Sequence, residues 1–284
     1  MKSGFVMLAG RSNVGKSTLL NAIIGTKVAI VTPKPQTTRE PLRGILHDAR
    51  GQIVFVDTPG IFIGKKDHVS KRLNAYVRET LEGVDAIVYV MDPTRAPGPE
   101  EEQVQNLLRV AKIPVIAVLN KSDLSEKNRP FVHIYHTIDI GQIQTLAISA
   151  TTHKNLNVLV DALFSVMQEG VPHYPDLQLT DIGHNQWLEE LIREKIFLNL
   201  DQEIPYSIKV ALEDIQIRPD GSKMIAAVIY TTEDRYKKMI IGKGGQMIKK
   251  IGMDARKEMT AVADIKIYLD LTVKVDPKWQ QKFI

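Results

Sequence analysis

Short apolar runs alternate with longer amphipathic stretches along the first 170 residues of the chain. This alternation is typical of strands and helices that wrap around a mostly parallel sheet. Runs such as AIVYVMD and VIAVLN are apolar almost without interruption, which favours strands that are buried on both faces. We therefore predict six strands, at Phe5–Ala9, Arg43–Ala49, Gln52–Asp57, Ala86–Met91, Val115–Asn120 and Thr145–Ser149.

Amphipathic stretches between these runs predict four helices. The first ends before Gly25, and glycine favours the left-handed conformation with which many helices close. The pattern as a whole predicts an α/β fold, a doubly wound domain with a six-stranded, mostly parallel sheet. The predicted helices are Ser17–Ile24, Val69–Leu81, Pro99–Val110 and Asn155–Met167.

The periodicity is interrupted between Gly170 and Asp176, where two prolines occur. Proline disfavours helix at its own position and at the preceding residue, so we place a boundary here. We expect a first domain over residues 1–170, a linker over 171–182 and a second, α+β domain over 183–284. The elements of the second domain are predicted at Trp187–Leu200, Tyr206–Ile217, Lys223–Thr231, on both sides of Gly242–Gly245, and at Asp264–Lys274.

The composition narrows the class of protein. With 44% hydrophobic and 25% charged residues, the chain is typical of globular proteins rather than of disordered or coiled-coil ones. The absence of cysteine excludes disulfides, thiolate zinc sites and a cysteine nucleophile, and it fits a reducing compartment. No apolar run approaches the roughly 20 residues that span a bilayer, and the amino terminus enters a predicted strand at once. We therefore expect a cytoplasmic protein without a signal peptide.

A phosphate-binding motif, GxxxxGKS, follows the first predicted strand and precedes the first predicted helix. Its glycines let backbone N–H groups close on phosphates, and the helix amino terminus adds partial positive charge. We expect Lys16 to pair with the outer phosphates and Ser17 to ligate Mg2+. The predicted nucleotide contacts are Gly10, Arg11, Ser12, Asn13, Val14, Gly15, Lys16, Ser17 and Thr18.

A second motif on the phosphate side comprises Asp57, Thr58, Pro59 and Gly60, directly after the apolar run IVFV. The aspartate then lies at the carboxyl end of a strand, where it can hold the hydration shell of Mg2+. Gly60 can offer its backbone N–H to the γ-phosphate. Alone, the tetrapeptide is typical of a simple turn after a strand, but the upstream phosphate-binding motif favours the nucleotide interpretation.

The motif Asn120-Lys121-Ser122-Asp123 stands at the end of the fifth predicted strand, Val115–Asn120, and its residues fit guanine recognition. The Asp123 carboxylate can accept hydrogen bonds from both N1 and N2 of guanine, whereas adenine cannot donate both. Binding adenine would leave the carboxylate unpaired, at a cost of about 1–3 kcal/mol or more. We expect Asn120 to brace the phosphate-binding loop and Lys121 to lie along the base. Ser149 and Ala150 are expected to offer a backbone N–H to the guanine oxygen.

These motifs, in this order and spacing, resemble those of the P-loop GTPases over residues 5–168. In that class a threonine between the first helix and the DTPG motif reaches Mg2+ and the γ-phosphate, and we favour Thr38 over Thr37. Ile61 stands where Ras-type enzymes carry the glutamine that orients water, which predicts slow hydrolysis by positioning and charge neutralisation. Asn13 matches the asparagine that holds K+ in potassium-stimulated members. The expected catalytic residues are Asn13, Lys16, Thr38 and Gly60, the expected metal ligands are Ser17, Thr38 and Asp57, and the expected cofactors are Mg2+ and K+.

The second domain carries the sequence GKGG at residues 242–245, between two predicted helices. The bare GxxG spacing is uninformative, but isoleucines repeat at helical spacing on either side of it. This context resembles a KH domain, and the extra elements before its core resemble the type II arrangement. The resemblance implies that the GxxG turn admits an RNA backbone while an apolar groove takes about four bases. The implied RNA contacts are Ile240, Ile241, Gly242, Lys243, Gly244, Gly245, Lys249 and Lys250.

The net charge of +4 is too small to identify a partner, but its distribution is informative. Between Arg235 and Lys257, eight basic residues stand against one acidic residue, Asp254. Such a concentration is typical of surfaces that contact nucleic-acid phosphates. The alternatives are a solvated helix face for the charges and ordinary core packing for most of the isoleucines.

A GTPase domain followed by a KH domain resembles the bacterial Era family over essentially the whole chain, with PQTTR, DTPG, NKSD and IIGKGG in the family's positions. The resemblance implies binding of GTP and GDP, recognition of the 3′ end of small-subunit ribosomal RNA, and a role in small-subunit assembly. It also implies a loose peripheral contact with the inner face of the cell membrane, and we expect a monomer. The chain departs from the family at Arg11-Ser12, where relatives often have Arg-Pro or Lys-Pro, and in ending at Ile284, which leaves tail-dependent contacts open.

Three hypotheses follow. In the leading one, the nucleotide state controls RNA binding by the second domain. In the second, the chain is an RNA-binding assembly factor for which GTP is only a structural ligand. In the third, it is a membrane-linked signalling GTPase whose second domain binds a protein.

Overall fold

The computed structural model describes residues 1–34, 42–58, 83–200 and 204–279. The chain forms two compact units, Met1–Asp181 and Ile182–Ile284. Predictions that concern Thr37, Thr38, Pro59, Gly60 or Ile61 lie outside the described residues, as does the predicted helix Val69–Leu81.

The first unit is built on a six-stranded sheet with the strand order β2-β3-β1-β4-β5-β6. Strands β2 and β3 form an antiparallel hairpin, and the remaining neighbours are parallel. This arrangement confirms the predicted α/β fold class. The strands are β1 Lys2–Ala9, β2 Leu42–Asp48, β3 Gly51–Asp57, β4 Ala86–Met91, β5 Val115–Leu119 and β6 Gln144–Ala147.

Every residue of β3, β4 and β5 is buried. The uninterrupted apolar sequences of β4 and β5 favour this burial on both faces. Because parallel strands all end at the same edge of the sheet, the loops that follow β1, β3, β4 and β5 meet there. The described helices are α1 Lys16–Ile24, α2 Pro99–Arg109, α3 Val132–His136 and α4 Leu156–Val166. The five-residue α3 was not predicted, since it is too short to show a helical period.

The segment before the second unit runs along the edge of this sheet. The N–H of Ile45 in β2 donates to the carbonyl of Leu179 at 2.9 Å, and the N–H of Arg43 donates to the Asp181 carboxylate at 2.9 Å. The buried Gln52 side chain also bonds to backbone groups of residues 173 and 174. Much of the segment expected to act as a linker is thus hydrogen-bonded to β2 and β3.

The second unit has a three-stranded sheet in the order β7-β8-β9, with β7 and β8 antiparallel and β8 and β9 parallel. Three helices supply the apolar side chains that pack on it, with Ile196, Ile229 and Ile251 fully buried in the shared core. This is the expected KH arrangement. The elements are α5 His184–Asn199, β7 Ile208–Ile217, β8 Lys223–Thr231, α6 Asp234–Ile241, α7 Gln246–Ala263 and β9 Ile267–Val275.

Two predicted strand starts in this unit were wrong. Residues 204–206 form a short 3-10 turn around Pro205, so β7 begins at Ile208 rather than Tyr206. Helix α7 continues to Ala263 and is closed by Asp264 in the left-handed region at φ 50°, which delays β9 to Ile267. No helix within the described parts of the chain combines the length and apolarity that crossing a membrane demands.

Candidate functional site

The phosphate-binding loop occupies residues 10–15, between the end of β1 and the start of α1. Gly10 has φ 152°, and a Cβ there would lie 2.5 Å from the carbonyl oxygen of Val90. Gly15 has φ 100°, and its Cβ would lie 2.4 Å from Nδ2 of Asn120. Both positions therefore require glycine, which lets the loop approach β4 and the end of β5 closely.

Lys16 begins α1, and its side chain folds back over this loop. Its Nζ donates to the carbonyl oxygens of Gly10 at 3.1 Å and Arg11 at 3.0 Å. The side chain is buried, and this burial lowers the pKa of Lys16, although the charges of Asp57 and Glu101 oppose the shift. An ammonium held among carbonyl groups at a helix amino terminus is placed to meet an anion.

Ser17 and Asp57 lie next to each other on the phosphate side. The Ser17 hydroxyl donates to Oδ2 of Asp57 at 2.5 Å, and Asp57 is 0% exposed at the end of β3. Thr58 anchors the following turn by donating to the carbonyl of Leu8 at 2.9 Å. A hydroxyl and a carboxylate are the oxygen donors that Mg2+ prefers, so these residues fit that ion.

The guanine-side loops are joined by side-chain hydrogen bonds. Asn120 donates from Nδ2 to the carbonyl of Val14 at 2.9 Å and accepts from the N–H of Ala150 at 3.0 Å. The Ser149 hydroxyl donates to Oδ1 of Asp123 at 2.6 Å. The phosphate-binding loop, the NKSD motif and the Ser149-Ala150 pair are thereby brought to one edge of the sheet.

The Arg11 side chain anchors the phosphate-binding loop to residues of α2 and α3. Its buried guanidinium pairs with Glu101, with 3.1 Å between Nε and Oε2, and donates to the hydroxyl of Tyr135 and the carbonyl of Ala96 at 2.9 Å each. Glu101 also accepts hydrogen bonds from the hydroxyls of Tyr135 and Tyr89. Burial, together with the Glu101 charge, raises the pKa of both tyrosines.

Asn13 lies at the outer rim of the loop, with φ 63°. Its Nδ2 donates to the carbonyl of Pro33 at 2.6 Å. Pro33 leads into the segment that contains Thr38. Asn13 therefore links the phosphate-binding loop to the chain just before the predicted switch threonine.

In the second unit, the GxxG turn joins α6 to α7. Gly242, Gly244 and Gly245 all have positive φ, and residues 243–245 form one 3-10 turn. Ile240 is fully buried, whereas Ile241 is only partly buried beside the turn. The turn thus combines exposed backbone with a partly accessible apolar border.

Basic side chains cover one face of α7. Lys249, Lys250, Arg256 and Lys257 are all exposed, and their spacing places them within about two turns on the same side of the helix. Lys243 in the turn is exposed as well. The positive charge therefore extends from the GxxG turn along α7.

Sequence reasoning missed Asp92, Arg95 and Glu101. Asp92 directly follows the buried strand β4, much as Asp57 closes β3. That signal was available in the sequence. Arg95 and Glu101 carry no local signal, because only the fold brings them to the loop.

Two family models match the chain: a "50S ribosome-binding GTPase" over residues 5–121 and a "KH domain" over residues 203–280. The GTPase Era of Heliobacterium modesticaldum is 39% identical over 283 residues, which covers 99% of this chain and 94% of that protein. The GTPase Era of Halothermothrix orenii is 40% identical over 282 residues, covering 99% and 95%.

Solved structures of Era also resemble the whole chain. One is Era in complex with MgGDPNP and nucleotides 1506–1542 of 16S ribosomal RNA, with a TM-score of 0.90, 35% identity and coverage of 100% of this chain and 96% of that one. Another is an Aquifex aeolicus Era variant bound to GDP and AlF4−, with a TM-score of 0.90, 35% identity and coverage of 100% and 97%.

Proposed function

Since the chain belongs to the Era family of GTPases, we propose that it uses GTP binding and hydrolysis to control its contact with the 3′ end of small-subunit ribosomal RNA. The observation that carries this proposal is the joining of three nucleotide loops at one sheet edge, with Asp123 held by Ser149 and Asn120 bonded to Val14. The solved Era complex that contains both a GTP analogue and 16S RNA supports the pairing of the two activities.

Guanine selection is assigned to Asp123. Its carboxylate accepts from N1 and N2 of the base, and the Ser149 hydroxyl fixes its direction at 2.6 Å. Lys121 is assigned to the face of the base, and the Ala150 N–H, which donates to Oδ1 of Asn120 at 3.0 Å in this structure, is assigned to the guanine oxygen once the nucleotide is bound. Because adenine has an acceptor at N1 and no 2-amino group, it would leave this carboxylate unpaired, and adenine nucleotides are rejected strongly.

Hydrolysis is assigned to positioning and charge neutralisation by the phosphate-binding loop. Lys16 pairs with the outer phosphates, and Ser17 and Asp57 are the described residues that would hold Mg2+. Thr38 is the third predicted Mg2+ ligand, and Gly60 is predicted to offer its backbone N–H to the γ-phosphate. Bound Mg2+ neutralises charge that develops on the phosphate oxygens. Water attacks the γ-phosphorus, the bond from that phosphorus to the β–γ bridging oxygen breaks, and GDP and inorganic phosphate are released without a covalent intermediate. With isoleucine at position 61, no glutamine orients the water there, so intrinsic turnover is slow.

A monovalent cation assists this chemistry. The Asn13 side chain, whose Nδ2 donates to the Pro33 carbonyl at 2.6 Å, lies at the rim of the phosphate-binding loop and carries an amide oxygen that can ligate a cation. We assign K+ to this position, where its charge would compensate for the lack of an arginine finger.

RNA binding is assigned to the second unit. The exposed GxxG turn allows the backbone of a single strand to approach, and the partly buried Ile241 borders the groove for its bases. The basic face of α7 and Lys243 neutralise phosphates. The same concentration of positive charge argues against a protein partner as the main ligand.

Salt dependence tests this assignment. Replacing Lys249 and Lys250 by glutamine should lower the slope of log affinity against log salt by about 0.7 for each phosphate that the protein no longer neutralises. The control is Lys274→Gln, another exposed lysine of the same unit, which instead pairs with Glu213 on the sheet at 2.6 Å. An unchanged slope in the double variant would show that Lys249 and Lys250 on α7 do not contact RNA phosphates.

The switch itself is assigned to β2. The segment that contains Thr38 continues directly into β2, and β2 holds residues 179–181 by backbone hydrogen bonds just before the second unit begins. A change in the Thr38 segment therefore has a short physical route to the chain that enters the KH domain. Linkage requires that GTP and RNA change each other's affinity by the same factor.

Two measurements separate this function from the alternatives. RNA affinity should differ between GDP and a non-hydrolysable GTP analogue, and Asp181→Ala, which removes the bond to the Arg43 N–H, should shrink that difference. Identical affinities in the wild type would exclude the switch. Phosphate release over many turnovers, with and without RNA, distinguishes an enzyme from an assembly factor that merely holds GTP.

The biological setting follows from these partners. Binding at the 3′ end of small-subunit RNA supports action in small ribosomal subunit assembly in the cytoplasm. A monomeric state and a peripheral contact with the inner face of the cell membrane remain expectations of the family. Crosslinking the protein to RNA in cells and sequencing the attached fragments tests the assigned target directly.

A further inference from the structure

Asp92 is a fully buried carboxylate outside the recognised motifs, directly after β4. Its Oδ1 accepts from the N–H of Thr94 at 3.0 Å and from the Thr94 hydroxyl at 2.7 Å. Its Oδ2 accepts from Nζ of Lys121 at 2.6 Å and from Nε of Arg95 at 3.3 Å. Both oxygens of one buried acid are thus engaged by four donors.

The two cations on Asp92 reach different nucleotide loops. Lys121 belongs to the guanine motif, and the N–H of its neighbour Asn120 donates to the carbonyl of Met91 at 2.9 Å, which sets the ends of β4 and β5 side by side. Arg95 extends the other way and donates from Nη2 to the Ser12 carbonyl of the phosphate-binding loop at 2.8 Å. Asp92 therefore lies at the junction of the two loops.

The ionised form of Asp92 is the one that this environment favours. Burial alone would raise the pKa of the carboxyl, but hydrogen bonds from Lys121 and Thr94 outweigh burial and lower the pKa below its ordinary value. A buried charge of this kind is tolerated only when it is paired and hydrogen-bonded. Removing the charge would leave Lys121 and Arg95 without their shared counterion.

The backbone of Lys121 adds a second, independent observation. Lys121 has φ 63°, in the left-handed region that side chains other than glycine, asparagine and aspartate seldom adopt. Such a conformation persists when surrounding contacts hold it. The ion pair with Asp92 is a contact of this type, and it fixes the direction of the Lys121 side chain.

We infer that Asp92 is a positioning residue for the guanine nucleotide, which holds Lys121 beside the base and, through Arg95, ties that arrangement to the phosphate-binding loop. The inference rests on the proposed placement of the nucleotide. Asp92 itself touches neither base nor phosphate in this assignment.

The test is nucleotide affinity in Asp92→Asn, which keeps the size of the side chain and removes its charge. We expect GTP and GDP to bind about ten- to a hundredfold more weakly, with kcat at saturating GTP little changed. ITP, which lacks only the amino group read by Asp123, should weaken by the same factor as GTP. A general distortion of the guanine loop would change the GTP-to-ITP ratio instead.

A double-variant cycle tests the route through Lys121. In a Lys121→Met background, Asp92→Asn should cost much less than it does in the wild type, because the partner is already absent. Additive losses would overturn the inference, as would binding of GTP by Asp92→Asn within about twofold of the wild type. Failure of the wild type to bind GTP would instead overturn the proposed function, so the two failures are distinguishable.

A second variant decides the matter if Asp92→Asn does not fold. Arg95 is partly exposed, and Arg95→Met removes its ion pair with Asp92 and its tie to the Ser12 carbonyl while Asp92 keeps its charge. We expect a severalfold loss of GTP affinity, whereas wild-type affinity would overturn the inference. The matched control is Arg109→Met, which removes another partly paired surface arginine, located at the end of α2.

Discussion

The hydroxyl of Ser149 donates to the carboxylate of Asp123 at 2.6 Å, although 26 residues separate them in the chain. Ser149 follows β6 and Asp123 follows β5, so this bond joins two loops that neighbouring parallel strands bring together. The Ser149 hydroxyl thereby fixes the orientation of the Asp123 carboxylate. The base preference of the site therefore depends on two loops and not on the NKSD motif alone.

Replacing Asp123 with asparagine should change the preferred base. The amide oxygen can still accept from N1, but the amide N–H faces the 2-amino group of guanine, which also donates, so GTP affinity should fall by about a hundredfold or more. Xanthosine triphosphate carries an oxygen in place of the guanine amino group and should become the better ligand. Competition binding with a fluorescent nucleotide measures both affinities. Ser149→Ala, which only frees the carboxylate, should cost about fivefold, and an Asp123→Asn protein that still prefers GTP would contradict the assignment.

Asn13→Ala should remove the potassium dependence of hydrolysis. In the wild type, phosphate release should be severalfold faster in KCl than in NaCl, because the amide of Asn13 helps to hold the larger cation beside the phosphates. In the variant, the two salts should give the same slow rate. GDP affinity serves as the control and should change little. Equal wild-type rates in both salts would remove K+ from the mechanism.

Nucleotide binding should take up a proton at alkaline pH. Burial holds the pKa of Lys16 below its ordinary value of 10.5 in the unliganded protein, and the phosphates stabilise the charged form on binding. At a pH between the lower pKa of Lys16 in the free protein and its higher pKa in the complex, Lys16 is deprotonated when free and protonated when the nucleotide is bound. Binding therefore takes up a proton. Calorimetry of GDP binding in buffers of different ionisation enthalpy should show proton uptake that grows as the pH rises through the lowered pKa of Lys16 and is largest below the raised one. GMP, which lacks the outer phosphates, should show less, and uptake that is absent for GDP throughout this range would be incompatible with the prediction.

Gly242→Ala should destabilise the second unit. Gly242 adopts φ 73° and ψ 173°, a combination almost restricted to glycine, and an added Cβ would lie 2.7 Å from Cβ of Met247. We expect a loss of about 2–4 kcal/mol in the free energy of unfolding. Both tryptophans of the chain, Trp187 and Trp279, belong to this unit, so denaturation followed by tryptophan fluorescence reports on it.

Gly244→Ala is the control for that measurement. Gly244 also has positive φ, at 58°, but a Cβ there has no heavy atom within 4 Å. The loss should be about 1 kcal/mol, from backbone strain alone. Equal losses in the two variants would show that the contact with Met247 is not the cause.

The fold class and the chemistry that depends on the local order of residues could be predicted from the sequence alone. The GxxxxGKS motif was predicted to lie between a strand and a helix. This was possible because the apolar run before it and the helical pattern after it are both formed by consecutive residues. The uninterrupted apolar sequences of β4 and β5 predicted buried parallel strands, and the structure confirms them. The isoleucine period around Gly242 indicated two helices for the same reason, since periodicity is a property of neighbouring residues. Element ends were less predictable, as at Tyr206 and Asp264, where turn geometry decides.

The side chains that hold the nucleotide loops in place could be identified only from the tertiary structure. The sequence predicted Arg11 only as a nucleotide contact, yet its side chain pairs with Glu101, a residue 90 positions away in α2. Asp92 and Lys121 meet because β4 and β5 are neighbours in the sheet, and Arg43 meets Asp181 because the chain returns along β2. The order of residues along the chain does not show which distant side chains will come into contact. They arise when parallel strands end at a common edge, and it is there that the second layer of the site is built.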